Sequence, residues 1–217
     1  MTDLVVDASD RIIVVGEVAR SIAGDTDFGV AAFTAAGVLD ASFGALGKRM
    51  IHFDLAAPLR DDRDSATAVS IGGDGRIAVA GTANVSESEH GAAVAVLLGN
   101  GSDDSSFSSD AKAAVDFVGS FGDDESSTPR GVGFDSEGRL YVAGRANQSG
   151  ENDAVAIVRF NVLGALDPQF HGDGIALPLQ DYPGNFLEYG HSAQAMAMQG
   201  DAPVLESSWA GTPAPTS

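Results

Sequence analysis

The stretch Glu137-Gly-Arg-Leu-Tyr-Val-Ala-Gly144 decides how this chain folds, because it occurs more than once. Asp74-Gly-Arg-Ile-Ala-Val-Ala-Gly81 and Ser9-Asp-Arg-Ile-Ile-Val-Val-Gly16 repeat it, and Gly200-Asp-Ala-Pro-Val-Leu-Glu-Ser207 is a worn copy. The shared arginine falls at 11, 76 and 139, in steps of 65 and 63 residues. A fixed period of this length marks a repeat architecture and governs every local reading.

Each copy reads as four short strands. An apolar strand (Leu4–Val6, Ala68–Ile71, Gly131–Phe134, Ala195–Met198) precedes a tight turn. Asp74-Gly75 is the signal of a two-residue type I′ hairpin, in which glycine supplies the positive φ. The β-branched run behind it is the second strand, and an Ala- and Val-rich third strand follows. A second block then recurs: Gly37-Val-Leu-Asp-Ala-Ser-Phe43, Gly101-Ser-Asp-Asp-Ser-Ser-Phe107 and Gly164-Ala-Leu-Asp-Pro-Gln-Phe170. Its Asp is expected to bond turn amides and its Phe to fill the core beneath. A fourth strand ends each unit, at 49–53, 113–117 and 175–179. No segment keeps a helical period. The expected fold is all-β, with four-stranded antiparallel units resembling propeller blades. The units span 1–65, 66–129 and 130–192. A partial fourth, 193–217, has Pro203 inside its second strand and a flexible tail from Trp209.

Two blocks in fixed order, three times over, resemble the delta-60 repeat family. Its units carry an Asp-Gly-Arg/Lys-Ile-Val-Val-Ala-Gly block and a Gly-x-Leu-Asp-x-x-Phe-Gly block. The resemblance covers residues 1 to about 180. It implies propeller-like repeats in large exported or surface-attached bacterial proteins, hence a secreted or cell-surface location, and it carries no shared catalytic motif.

Charge narrows the partners. Asp and Glu total 31 against 12 Lys and Arg, a formal charge of −19. A nucleic acid or an anionic membrane needs a basic face, so neither is an expected partner. Twenty-three of the acids are Asp, the turn-former of the pair. There is no Cys, which removes disulfides and thiol chemistry. No apolar run approaches the roughly 20 residues of a membrane helix. Met1 falls where a repeat should begin, without a basic leader, so the chain reads as cut from something longer. Three and a half units leave open edges, so a homo-oligomer or a larger ring is expected.

Chemistry is expected on the loops that join strand two to three and one unit to the next, since both open on one face. A carboxylate recurs there at Asp62, Glu125 and Glu188. It either bonds loop amides at the crossover or belongs to a ring of carboxylates facing a polar ligand or a cation such as calcium. No other cofactor is expected. His90 and His191 fall in the same loops, with Ser86, Ser88 and Ser192 nearby, and could build a Ser-His-acid esterase site. No Gly-x-Ser-x-Gly elbow accompanies them. The leading expectation is a non-catalytic module that binds a protein, glycan or polymer through its loops; the alternative is a small esterase-like hydrolase.

Overall fold

The computed structural model describes residues 1–20, 24–53, 55, 63–84, 90–117, 127–148, 152–177 and 191–209. These form fourteen strands and, among the described residues, no helix. Strands β1 (Asp3–Val6), β2 (Ile12–Ala19), β3 (Thr26–Phe33) and β4 (Lys48–Ile51) make the first antiparallel sheet. The second contains β5 (Ser65–Ile71), β6 (Ile77–Asn84), β7 (His90–Leu97) and β8 (Lys112–Val115). The third contains β9 (Ser127–Phe134), β10 (Leu140–Gln148), β11 (Asn152–Phe160) and β12 (Ile175–Ala176). Strands β13 (His191–Gln199) and β14 (Ala202–Trp209) make a two-stranded fourth. The protein is therefore an all-β repeat of four-stranded, propeller-like units with an incomplete last blade.

Neighbouring sheets stack face to face, and their first strands lie together: β1 on β5, β5 on β9, β9 on β13. These are the inner edges of a fan. Thr2 Oγ1 donates to the carbonyl of Ala66 at 2.6 Å, and Thr67 Oγ1 donates to that of Pro129 at 2.8 Å. The two threonines hold the same place in successive units. Thr67 is the extra residue of a β-bulge, as Arg130 and Gln194 are in the next two sheets. A bulge bends the strand and re-aims one side chain, and here it aims a hydroxyl at the next sheet.

Alternation along each strand supplies two apolar faces per sheet. Ile13, Val15, Phe28, Val30 and Ala32 of the first sheet pack against Val69, Ile77, Val79, Ala93 and Ala95 of the second. Ala78, Ala80, Ala92, Val94 and Val96 then pack against Val132, Leu140, Val142, Ala156 and Val158 of the third. Small side chains let the sheets approach closely and leave little room for change.

The second motif block locks the first two seams from one end. Phe43 and Phe107 are fully buried. The ring of Phe43 lies where a Cβ on Gly101 would stand, within 2.8–2.9 Å, and Gly44 N–H donates to the Asn100 carbonyl at 2.8 Å. One unit later, Ser108 N–H donates to the Leu163 carbonyl at 3.0 Å, beside Gly164. Phe170, the third of the series, is only half-buried. It packs edge-on against Tyr141, with Arg159 over both rings. Arg159 stands where the first two sheets carry Ala32 and Val96, and Asp167 Oδ2 lies 2.8 Å from its Nε.

The structure corrects three local expectations. The first turn is not a two-residue type I′ loop. Residues 7–11, 72–76 and 135–139 each form a five-residue connection, in which the fourth N–H bonds the first carbonyl. Asp10, Gly75 and Gly138 then turn left-handed, at φ 59°, 83° and 77°. The left-handed residue is the one that Asp-Gly signalled, but it closes a longer turn. Pro203 does not interrupt its strand: it pairs with Met198 inside β14. Among the described residues β14 is an edge strand, where proline's missing N–H is tolerated. Trp209 ends that strand, and residues 210–217 of the expected tail lie outside the described residues.

Truncating a buried phenylalanine costs about 3–5 kcal/mol. Phe43→Ala and Phe107→Ala are expected to lose that much in denaturant unfolding, and Phe170→Ala distinctly less. Equal losses at all three positions would contradict the seam described here.

Candidate functional site

The two ends of the sheets differ. At the closed end lie the connections within strand pairs one–two and three–four. They have five residues in each of the first three units for the first pair and fourteen for the second (34–47, 98–111, 161–174). At the open end, the strand ends flank 20–25, 85–89 and 149–151 for one connection, and 52–64, 116–126 and 177–190 for the other. These vary in both length and sequence.

At the closed end the carboxylates serve the turns. Asp7 Oδ1 accepts the N–H groups of Ser9 and Arg11 at 2.8 and 2.9 Å, and Arg11 Nε donates to Oδ2 at 2.6 Å. Asp135 repeats this arrangement with Glu137 and Arg139. The second unit has Gly72 at that place, and Asp74 takes the arginine instead, with Arg76 Nε at 2.7 Å. Arg11 and Arg76 also reach the Asp of the other block, Asp40 and Asp104, each at 3.5 Å. Asp40 and Asp104 bond the N–H and hydroxyl two residues on, and Asp167 bonds the N–H of Gln169. The Asp of the second block is thus a turn-former, as its spacing indicated.

These bonds set the carboxylates' proton affinity. Burial would push Asp7 and Asp74 up, but hydrogen bonds from the Arg side chain and the turn N–H groups outweigh it and hold both below the usual value. The Ser42 hydroxyl and N–H hold Asp40 down, and Ser136 does the same for Asp201 across the last seam. The Asp135 hydrogen bond raises Arg139.

The open end carries the expected site residues. Asp62, Glu125 and Glu188 lie outside the described residues. However, Asp64, Ser127 and His191, two residues beyond Asp62 and Glu125 and three beyond Glu188, each lie three residues before the inner-strand bulge. Asp64 is buried; its Oδ2 accepts the Phe53 N–H at 3.0 Å and its Oδ1 the Asn84 N–H at 3.3 Å. Ser127 Oγ accepts the Phe117 N–H at 2.9 Å and donates to Asp116 at 3.2 Å. The polar side chain at this position fastens the crossover after the first and second units, and the change from Asp to Ser hides it in the sequence.

His90 is exposed at the start of β7, paired in register with Asn84. His191 and Ser192 begin β13, opposite Trp209 and Ser208. His90 belongs to the second sheet and His191 to the fourth, so the whole third sheet separates them.

One polar group at this end went unnoticed in the sequence. Asp27 is 1% exposed, and its Oδ2 lies 2.8 Å from Nδ1 of His52. The two atoms are close but poorly aligned for a hydrogen bond. Arg20 Nε stands 3.4 Å from both Asp25 and Asp27, and Lys112 Nζ of the next sheet donates to the His52 carbonyl at 2.7 Å. Asp27 has no counterpart in the other units, which carry Gly91 and Ala154 at its place. Only that break in the repeat could have flagged it. Among the described residues no cluster of three or more His, Asp or Glu side chains is placed to hold a metal ion.

Known proteins add to this picture in two ways. A family model described as a domain of unknown function (DUF5122) beta-propeller matches residues 8–43 and 136–170. Both matches run from the first motif block to the second, in units one and three, which supports a β-propeller repeat. A fucose lectin from Kordia zhangzhouensis, solved in complex with methyl-fucoside, shows a partial likeness of shape. Its TM-score is 0.38 at 9% identity, over 72% of this chain and 90% of that one. No curated protein matches the chain.

The lowered carboxylates fix the direction of a pH effect. A group whose affinity for protons is reduced by folding stabilises above its unfolded value and loses that contribution as pH falls through its folded value. The melting temperature is therefore expected to fall as pH drops below about 4, the ordinary carboxylate range. Asp7→Asn should make that fall shallower. Thermal melts between pH 5 and pH 2.5 would check it, and a flat profile would contradict it.

Proposed function

We propose that this chain is a non-catalytic, propeller-like module of the delta-60 type. It would belong to an exported or surface-associated bacterial protein and bind a protein, glycan or polymer through the connections of its open end. The observation that carries this reading is the contrast between the two ends. In the first three units each connection at the closed end keeps its length, and most of the charged side chains there are engaged with one another or with turn amides. Connections at the open end vary, and variable loops on a fixed scaffold are where binding specificity resides. The charge of −19 favours a neutral or cationic ligand. Calcium is not part of the proposal, and chelation is expected to leave binding unchanged.

The competing reading is an esterase. One observation favours it: the His52–Asp27 pair resembles the imidazole–carboxylate half of a hydrolytic triad. Among the described residues no hydroxyl hydrogen bond to His52 joins the pair.

The test is a screen of immobilised neutral glycans and basic peptides, with the parent compared with two variants. One replaces 118–126 with a Gly/Ser segment of equal length; the other carries Val38→Asp at the closed end. A ligand bound by the parent should be lost only in the first. Ligand binding that survives replacement of every open-end connection would reject the proposal. Turnover of short-chain chromogenic esters, abolished in a folded His52→Ala, His90→Ala or His191→Ala variant, would favour the hydrolase instead.

A further inference from the structure

Among the described residues the fan has two bare faces, and the repeat shows what kind of surface covers each. The first two internal seams bury the same positions. Val69 and Val132 are 8% and 7% exposed, whereas Leu4, at their place in the first sheet, is 48% exposed. Val79 and Val142 are buried, whereas Val14 is partly open. Leu4, Val14, Ala31 and Met50 share this face by register, around Gly16 and Gly29. Most of these residues line a groove of about 460 Å³.

The opposite face of the fourth sheet is its complement. Ile13, Ala78 and Tyr141 are 0%, 0% and 4% exposed at their seams, whereas Val204, at the same place in the repeat, is 49% exposed. Ala195 and Ala197 lie beside it and are also exposed. Glu206 stands on this face where earlier sheets have Val15, Ala80 and Ala143. A carboxylate at a seam needs a cation, and the first sheet's bare face offers exposed Lys48 within its groove.

We propose that two copies of this chain join head to tail, the bare face of each fourth sheet seated on the bare face of the other's first sheet. Four sheets from each chain then close a ring of eight, within the usual four to eight blades of a propeller. The contact continues the seam that already recurs between the first and second and the second and third sheets. A head-to-tail contact of this kind closes on itself when its rotation allows, and otherwise grows into a filament.

Sedimentation velocity of the 217-residue chain at tens of micromolar tests this. The parent should sediment with the mass of two chains. Leu4→Asp and Val204→Asp, both at half-exposed positions and each confirmed as folded by a thermal melt, should each sediment as one chain. Mixing the two variants restores one intact seam per pair, so a two-chain species should reappear on mixing. A one-chain mass for the parent overturns the proposal. So does Val204→Asp without effect, which would mean that two first sheets meet face to face. A mass that climbs with concentration would show a filament and overturn ring closure.

Discussion

The seating of one aromatic ring on a glycine of the next sheet governs the rest of this structure. A sheet of Ala and Val has shallow faces, and stacking two such faces fixes a separation but hardly a position. Phe43 over Gly101 fixes the position, because the ring occupies the space of a missing Cβ. Thr2 and Thr67 fix it again at the inner edge, by hydroxyl bonds to the neighbouring backbone. With a pin at the closed end and another at the inner edge, each sheet has one angle to its neighbour. The fan follows from repeating that angle.

The same arrangement explains how a chain of such charge packs at all. Many of the described Asp side chains are committed locally, each accepting from the N–H groups of its own turn and from an arginine one turn away. A carboxylate so satisfied has little demand for a distant partner. The acidity is in large part the chemistry of tight turns repeated several times. The two blocks are joined by arginine, since Arg11 and Arg76 each reach from one turn to the carboxylate of the other. Arginine suits the task better than lysine because its planar fork serves two acceptors at once, which agrees with ten Arg against two Lys.

Architecture was legible in the sequence because it is written three times; the site was not, because a site is written once. The motif blocks gave the strand order, the buried phenylalanines and the role of the second-block Asp. They misread the first turn, since Asp-Gly reports a left-handed residue without saying how many residues precede it. The recurring carboxylates Asp62, Glu125 and Glu188 lie outside the described residues; beside the first two, Asp64 and Ser127 fasten the crossover with unlike residues, which a period of like residues does not mark. Asp27 and His52 are twenty-five residues apart in sequence and join only because β3 and β4 are paired. No periodic reading could have found them.

A stack of identical seams is complete only when its last face meets its first. Sheets two and three satisfy that condition inside the chain, and each pays for its neighbour's burial with its own. The first and fourth sheets do not, and the sequence differs at just those places. Met50 faces outward where the second unit has Ala114, and Glu206 replaces the small apolar residues of earlier seams. Arg159 and Tyr141 stack beside Phe170 where the first sheet carries Ala32 and Ile13 and the second Val96 and Ala78. Met50 and Glu206 depart from the repeat on the two faces that no neighbouring described sheet covers. The ends of the fan therefore differ from its internal seams, and the strand ends that carry the open connections are set at angles that the seams determine.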